Sequence, residues 1–392
     1  MKRLLLLLIC ICTMGQIKAT INDNLQISLL TVEPRSNEVY TVYGHTALRV
    51  YDHTRGIDVV YNWGTFNFDA PFFLYHFVKG ETDYFLSDVP YEYFHYAYLK
   101  GNSTVREQIL AIPNESKQAF IDALALNLQP ENQEYRYDFL FDNCSTRPRD
   151  LIEKYCGGKL VYPEQTEKVT FRDLIHSCTD PYPWMTFGLD LIIGSGADSL
   201  VSKRQELFLP VRLMDALNQA VVITENGETR PIVASFETII LSAEENTSQQ
   251  DFWTSPLIVS IIILILFGIL LIIELVKKRK FRIPYIIIFL IAGIGGCIVA
   301  FVTLLSYHPC TDANWNLLWL HPFHFIGLIG LFLKKSYSLI RWYHWSNFVL
   351  LPLFIILSCF WGIQHINSAC VPFTLCLLLC SKSVLTKGTN RV

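Results

Sequence analysis

The sequence predicts an α+β soluble domain followed by an all-α membrane domain of five helices. The chain has 392 residues, of which 51% are hydrophobic and 17% are charged. Residues 20–251 contain 33 acidic and 18 basic residues, whereas the rest of the chain contains 2 acidic and 14 basic ones. Long apolar stretches occur only after residue 251, apart from one short run at the start. This contrast is typical of two domains in different solvents, and the acidic soluble part argues against nucleic-acid binding.

Residues 1–19 have the pattern of a secretory signal peptide. Lys2 and Arg3 precede an apolar run over residues 4–14 that is too short to cross a bilayer comfortably. Ala19 then supplies a small residue at a plausible cleavage point. The alternative is an uncleaved anchor, which leaves the topology unchanged. Either way, residues 20–251 form an exported domain and residues 252–392 a membrane domain.

The soluble domain contains three cysteines, Cys144, Cys156 and Cys178. Free thiols tend to pair in an oxidising compartment. The simplest pairing joins Cys156 to Cys178 and leaves Cys144 free. The alternative is that all three are buried as small apolar residues.

Strand and helix patterns along the soluble domain frame its chemistry. Residues 42–51 and 59–68 read as strands joined by a hairpin around Gly56, and residues 104–111 as a further strand. Residues 114–128 have helical periodicity. A strand over residues 135–141 and a helix over residues 147–155 flank Cys144, which therefore stands at a helix amino terminus. A helix over residues 210–220 and a hairpin over residues 221–235 complete the domain.

The position of Cys144 suits a nucleophile. A helix amino terminus favours the thiolate, a nearby histidine takes the proton, and the first N–H groups of the helix could hold an oxyanion. His45 is the preferred partner. The hairpin places residues 62–65 opposite His45, and among them Asn62 is the best hydrogen-bonding candidate to orient the imidazole. The alternative is that these residues are ordinary core residues.

Five apolar stretches follow the soluble domain, at residues 253–276, 283–306, 315–333, 345–363 and 366–381. The first two match a hydrocarbon layer of about 30 Å, and the last is short and contains Pro372. Basic residues cluster in the loops after the first, third and fifth stretches, whereas residues 307–314 and 362–365 contain no Lys or Arg. The positive-inside rule therefore predicts a multi-pass protein of the cytoplasmic (inner) membrane, with its soluble domain outside the cytoplasm and its carboxyl terminus in the cytoplasm.

Three sequence blocks carry a family resemblance. Residues 43–50 (YGHTALRV), 61–68 (YNWGTFNF) and 141–146 (FDNCST) resemble the periplasmic domain of Lnb-type lipoprotein N-acyltransferases of Bacteroidetes. The order of histidine and cysteine also resembles circularly permuted papain-like enzymes, including lecithin:retinol acyltransferase. The resemblance implies a permuted papain-like fold with Cys144 and His45 as catalytic residues. Asn62 has no such match and stays a geometric prediction.

The resemblance implies a function as well. A fatty acyl chain would move from a membrane phospholipid, through a thioester on Cys144, to the α-amine of a diacylglyceryl-cysteine lipoprotein. The expected partners are thus the phospholipid donor, the diacylated acceptor and the bilayer. We expect no cofactor and no metal, because the sequence contains no zinc-spaced Cys/His set and no nucleotide fingerprint.

Residues near the predicted nucleophile are candidates for substrate binding. Arg147 and Arg149 suit a lipid phosphate, although ion pairs with Asp150 or Glu153 are the alternative. Tyr43, two residues before His45, is a further predicted substrate contact. The aromatic residues at 72–75 and 91–98 could line an acyl groove or enter the membrane, with core packing as the alternative.

Two other functions compete. Permuted papain-like folds also serve cysteine peptidases and amidases, so the chain could act on peptidoglycan. Five membrane helices are excessive for tethering such an enzyme, and an acidic domain suits an anionic polymer poorly. The third possibility is a non-catalytic sensor or assembly factor in which Cys144 and His45 are structural.

Overall fold

A computed structural model describes residues 24–35, 39–243, 252–333, 338–358 and 362–385. The predicted signal peptide, the acidic segment at residues 244–251 and the basic pair at residues 334–335 lie outside the described residues.

A seven-stranded antiparallel sheet organises the soluble domain. Its strands are β1 Leu25–Val32, β2 His45–Asp52, β3 Ile57–Thr65, β4 Asp83–Pro90, β5 Val105–Leu110, β6 Glu134–Arg136 and β10 Val233–Ile240, and their order in the sheet is β10-β5-β1-β2-β3-β4-β6. The predicted hairpin is confirmed: β2 pairs with β3, and Gly56 in the turn has a φ of 65° that glycine adopts easily. The first strand of this hairpin begins at His45, later than predicted, because Val39–Tyr43 forms a 3₁₀ helix.

A smaller three-stranded sheet contains the second predicted hairpin. Its strands are β7 Lys159–Val161, β8 Val221–Ile223 and β9 Thr229–Pro231, in the order β7-β8-β9. The turn between β8 and β9 contains Gly227, with a φ of 79°.

Helices cover the large sheet and enclose its core. Trp63 on β3 is 1% exposed, and its indole N–H donates to Asn127 Oδ1 at 3.0 Å, which fixes β3 against the end of a helix. The α-helices of the soluble domain are Phe73–Lys79, Tyr91–Lys100, Asn114–Asn127, Pro130–Gln133, Thr146–Tyr155, Phe171–Thr179, Pro183–Ile192, Lys203–Glu206 and Pro210–Gln219. A further 3₁₀ helix covers Ser195–Asp198.

Among the described residues after 251, three helices are long and apolar enough to cross a membrane: Pro256–Lys277, Arg282–Leu305 and Ser338–Ile356. Cys370–Leu385 is a shorter apolar helix, and Phe252–Thr254 is a 3₁₀ helix. The third predicted span is not one continuous helix. It begins with a 3₁₀ helix, Trp315–Leu318, and resumes as His324–Gly330. Pro322 explains the break, because proline lacks an N–H and disfavours helix at the preceding residue.

Asp190, 1% exposed, connects the two halves of the chain. Its carboxylate accepts hydrogen bonds from Arg172 at 2.9 Å and His176 at 2.9 Å within the soluble domain. The same carboxylate accepts from Asn367 Nδ2 at 3.0 Å, and the Asp190 carbonyl accepts from Asn316 Nδ2 at 2.8 Å. The helix Pro183–Ile192 is therefore fixed to the 3₁₀ helix Trp315–Leu318 and to the loop that contains Asn367.

Candidate active site

The segment before Cys144 is a tight turn. Asp138 accepts hydrogen bonds from the N–H groups of Leu140 and Phe141, both at 2.9 Å. This side-chain turn ends the predicted strand early, so the prediction of strand over residues 135–141 is wrong beyond Arg136. Cys144 follows directly on this turn.

Asn143 fixes the start of the helix Thr146–Tyr155. Its Oδ1 accepts the N–H groups of Ser145 at 2.8 Å and Thr146 at 2.9 Å. Its Nδ2 donates to the carbonyls of Phe139 at 2.8 Å and Phe208 at 2.9 Å. Asn143 thus occupies these two N–H groups, so they are not available to hold an oxyanion.

Strand β2 brings His45 and Thr46 to the thiol. Gly44 makes this approach possible: its φ is 76°, and a Cβ there would lie 2.5 Å from the Val32 carbonyl oxygen. Thr46 Oγ1 lies 2.9 Å from Ser145 Oγ in a buried contact. The Thr46 backbone also helps to lower the pKa of the Cys144 thiol.

His45 lies between Cys144 and Asn62. Its Nε2 is 3.2 Å from Asn62 Oδ1, and a carbonyl-type oxygen can only accept, so Nε2 carries the proton. The other ring nitrogen is then free to exchange a proton with the Cys144 thiol. The structure thus brings together the three residues predicted as catalytic from the sequence.

The environment shifts both members of the pair toward their charged forms. Burial raises the pKa of the Cys144 thiol, but the charge of His45 and hydrogen bonds from His45, Thr46 and Ser145 hold it below the usual value. Burial lowers the pKa of His45, whereas the charge of Cys144 and hydrogen bonds with Cys144 and Asn62 raise it above the usual value. The arrangement stabilises a thiolate–imidazolium pair.

Gly64 and Tyr137 border the thiol and were missed by sequence reasoning. Gly64 has a φ of 99° at a register shift between β3 and β4. A Cβ there would lie 3.7 Å from Tyr137 Cε2 and 3.9 Å from Cys144 Cβ. A glycine inside a strand pattern is a signal for such a bulge. Burial raises the pKa of Tyr137 well above its usual value, so its phenol stays protonated beside Cys144.

The predicted substrate-binding residues have partners within the chain. Arg147 binds Asp142 through two hydrogen bonds of 2.6 and 2.8 Å and lies 3.6 Å from the centre of the Tyr135 ring. The Arg149 side chain is 5% exposed and pairs with Asp150 at 2.7 Å, as the ion-pair alternative expects. The ring of Tyr43 packs against Phe139, with ring centres 4.7 Å apart.

The expected disulfide is absent among the described cysteines, because Cys156 and Cys178 are both free thiols. Cys156 is buried and its Sγ donates to the carbonyl of Gly158 at 3.2 Å. Cys178 packs at the edge of a separate apolar cluster. Burial raises the pKa of both thiols, in contrast to Cys144.

One group of possible metal ligands occurs among the described residues, outside the candidate site. Ligand atoms of His176, Asp190 and His365 lie within 4.8 Å of one another. The Asp190 oxygens already accept from Arg172 and Asn367, so the charge of this carboxylate is neutralised within the protein. The group is therefore better explained as part of the contact between the two halves.

The comparisons with known proteins agree with this division of the chain. The comparison with curated proteins found no match, and neither did the comparison with solved structures. Two family models do match: the Lnb N-terminal periplasmic domain over residues 16–177 and the Lnb transmembrane domain over residues 247–391. The chain is therefore a membrane protein with a periplasmic amino-terminal domain, and it belongs to the Lnb family of lipoprotein N-acyltransferases.

Proposed function

We propose that this chain moves a fatty acyl chain from a membrane phospholipid to the α-amine of a diacylglyceryl-cysteine lipoprotein, through a thioester on Cys144. The observation that carries the proposal is the contact of Cys144 with His45, which is backed by Asn62 at 3.2 Å. In this proposal the soluble domain is permuted papain-like, and all five apolar stretches cross the inner membrane with the carboxyl terminus in the cytoplasm.

The first step acylates the enzyme. The Cys144 thiolate attacks an ester carbonyl of the phospholipid, and a C–S bond forms. When the tetrahedral intermediate collapses, the ester C–O bond breaks and the His45 imidazolium gives its proton to the departing lysophospholipid oxygen. His45 is then neutral and the enzyme holds a thioester. Asn62 keeps the His45 ring oriented in both its protonated and its neutral state.

The second step transfers the chain. The free amine of the lipoprotein attacks the thioester carbonyl, a C–N bond forms, and His45 takes a proton from that nitrogen. The C–S bond then breaks and the thiolate–imidazolium pair is restored. An amide is more stable than the ester that supplied the acyl group, so the overall transfer is downhill. Both substrates are lipids, which explains why the membrane domain accompanies this chemistry.

Arg147 is the better of the two arginines for the donor headgroup. It is 25% exposed beside the nucleophile turn, whereas Arg149 is directed inward. Asp142 holds the Arg147 guanidinium in place and leaves it partly accessible. We propose that a lipid phosphate approaches this exposed part.

The test uses Cys144→Ser in membranes, with Cys178→Ser as a matched control that also removes a soluble-domain thiol. We expect the first variant to lose N-acylation of a diacylated lipoprotein at normal protein level, and the control to keep it. In the wild type, a thioester-preserving digest should show a fatty acyl mass on the peptide containing Cys144. Unchanged N-acylation together with altered muropeptides in Cys144→Ser would favour the amidase. A Cys144→Ser variant that behaves like the wild type in every assay would refute both catalytic functions.

A further inference from the structure

Apolar side chains are exposed along the segment from Phe66 to Phe77. Phe68 is 62%, Phe72 81% and Leu74 72% exposed. Core packing, the alternative from the sequence, therefore does not account for these residues. A run of large apolar side chains on one surface marks an interaction site. We name this segment, residues 66–77, the aromatic lip.

The aromatic lip is fixed to one end of a membrane helix. The Tyr307 N–H donates to the Lys79 carbonyl at 2.8 Å, and His308 Nε2 donates to the Phe77 carbonyl at 2.7 Å. The Tyr75 ring lies 6.0 Å from the Phe301 ring, centre to centre. Phe301 is four residues before the end of the helix Arg282–Leu305, so it lies about 6 Å inside that end. The lip therefore lies beside the end of a helix that is long and apolar enough to cross a membrane.

Ring contacts run from the lip toward Cys144. Phe73 stacks on Phe66, with ring centres 5.5 Å apart and planes 7° from parallel. Phe66 lies 5.0 Å from the Tyr84 ring, and Tyr84 stacks on Tyr137 at 4.3 Å. Tyr137 is the residue that borders Gly64 beside the thiol. The rings thus form a continuous row of aromatic contacts between the aromatic lip and the nucleophile.

We propose that the aromatic lip inserts into the outer leaflet and that its rings guide an acyl chain of a membrane phospholipid to Cys144. Insertion does not depend on the proposed function; only the second part of the inference, the guiding of an acyl chain to Cys144, rests on the proposed acyl transfer. An acyl chain that left the bilayer through water would lose its apolar cover. The row of rings supplies such cover along the way, and the adjoining membrane helix identifies lipid as the occupant.

The first experiment tests insertion alone. Benzoylphenylalanine replaces Leu74 in the full chain, and a matched protein carries it in place of Leu126, which is 56% exposed on the helix Asn114–Asn127. Both proteins are placed in phosphatidylethanolamine vesicles and irradiated, and lipid adducts are measured by mass spectrometry. We expect at least tenfold more adduct at position 74. Equal adduct at the two positions would overturn the insertion, whatever the enzyme's activity.

The second experiment tests the path with Phe73→Ala, its conservative counterpart Phe73→Leu, and Phe236→Ala as a matched control on the edge strand β10. Thioester formation on Cys144 is measured with long-chain and short-chain phospholipids in competition. Each methylene that loses apolar cover changes a partition constant about fourfold. If Phe73→Ala uncovers about two methylenes, it should lower the preference for long chains about 16-fold. Phe73→Leu and Phe236→Ala should keep it.

Outcomes of the second experiment separate the two proposals. An unchanged chain preference in Phe73→Ala would overturn the acyl path while leaving the transferase intact. If the wild-type protein forms no thioester, both the proposed function and the proposed acyl path are refuted. The cross-linking result at position 74 would still show whether the aromatic lip inserts into the membrane. Normal alkylation of Cys144 in Phe73→Ala shows that the site has folded.

Discussion

Asn62→Ala should slow acylation of Cys144 by about 10- to 150-fold. The Asn62 amide oxygen accepts the Nε2 proton of His45 at 3.2 Å. A hydrogen bond to a charged group contributes about 1.5–3 kcal/mol, and each 1.36 kcal/mol corresponds to about tenfold in rate. Losing the bond also removes one of the interactions that raise the pKa of His45. The imidazolium should therefore deprotonate at lower pH, and the rate should decline earlier on the alkaline side.

The assay is single-turnover formation of the acyl-thioester from phospholipid vesicles, followed across pH. Asn127→Ala is a matched control, because Asn127 Oδ1 also accepts a ring N–H, that of Trp63 at 3.0 Å. It should destabilise the fold to a similar extent without changing the pH profile. Asn62→Asp keeps an acceptor and should recover most of the rate. A wild-type rate and pH profile in Asn62→Ala would show that Asn62 does not position His45.

Two further predictions follow from the site and from the contact with the membrane half. His45 lowers the pKa of the Cys144 thiol, so iodoacetamide should alkylate this thiol at pH values well below the usual pKa of cysteine. His45→Ala should shift the pH profile of alkylation, measured by mass-spectrometric peptide mapping, to higher pH. An unshifted profile would contradict the ion pair. Gly80→Ala should destabilise the protein more than Gly56→Ala. Both glycines have positive φ, but only at Gly80 would the new Cβ meet a neighbour, the backbone nitrogen of His308 at 2.9 Å. Strain alone costs about 1–2 kcal/mol and overpacking about 1–3 kcal/mol more, so thermal unfolding in detergent should separate the two variants. Equal unfolding midpoints for Gly80→Ala and Gly56→Ala would show that the loop at Gly80 accommodates the new Cβ without loss of stability.

Local signals in the sequence were enough to bring Asn62 near His45 and to place Cys144 before a helix, whereas the pairing of Cys144 with His45 drew on the family resemblance. A hairpin turn at Gly56 sets which residues of β2 and β3 lie near each other, and it brings Asn62 to His45. The position of Cys144 before a helix follows from helix periodicity and from the polar turn preceding it. These are short-range properties, which the order of residues encodes directly.

Contacts between distant segments could not be read in the same way. The capping role of Asn143 depends on the Phe208 carbonyl, which is 65 positions away in the chain. The thiols of Cys156 and Cys178 remain apart because each packs in a different apolar cluster. The break in the third predicted span had a local signal, Pro322, which a count of apolar residues does not register.

The position of Asp190 has a practical consequence for studying this protein. Two of its hydrogen-bond donors, Asn316 and Asn367, belong to the part of the chain after residue 251. A water-soluble fragment ending at that boundary would keep Arg172 and His176 but leave an inward-facing carboxylate oxygen and a carbonyl without their amide donors. Each buried polar group left in this state costs about 1–3 kcal/mol. The whole chain in detergent or nanodiscs is therefore the better starting material, because truncation would remove the contacts between the periplasmic domain and the membrane half.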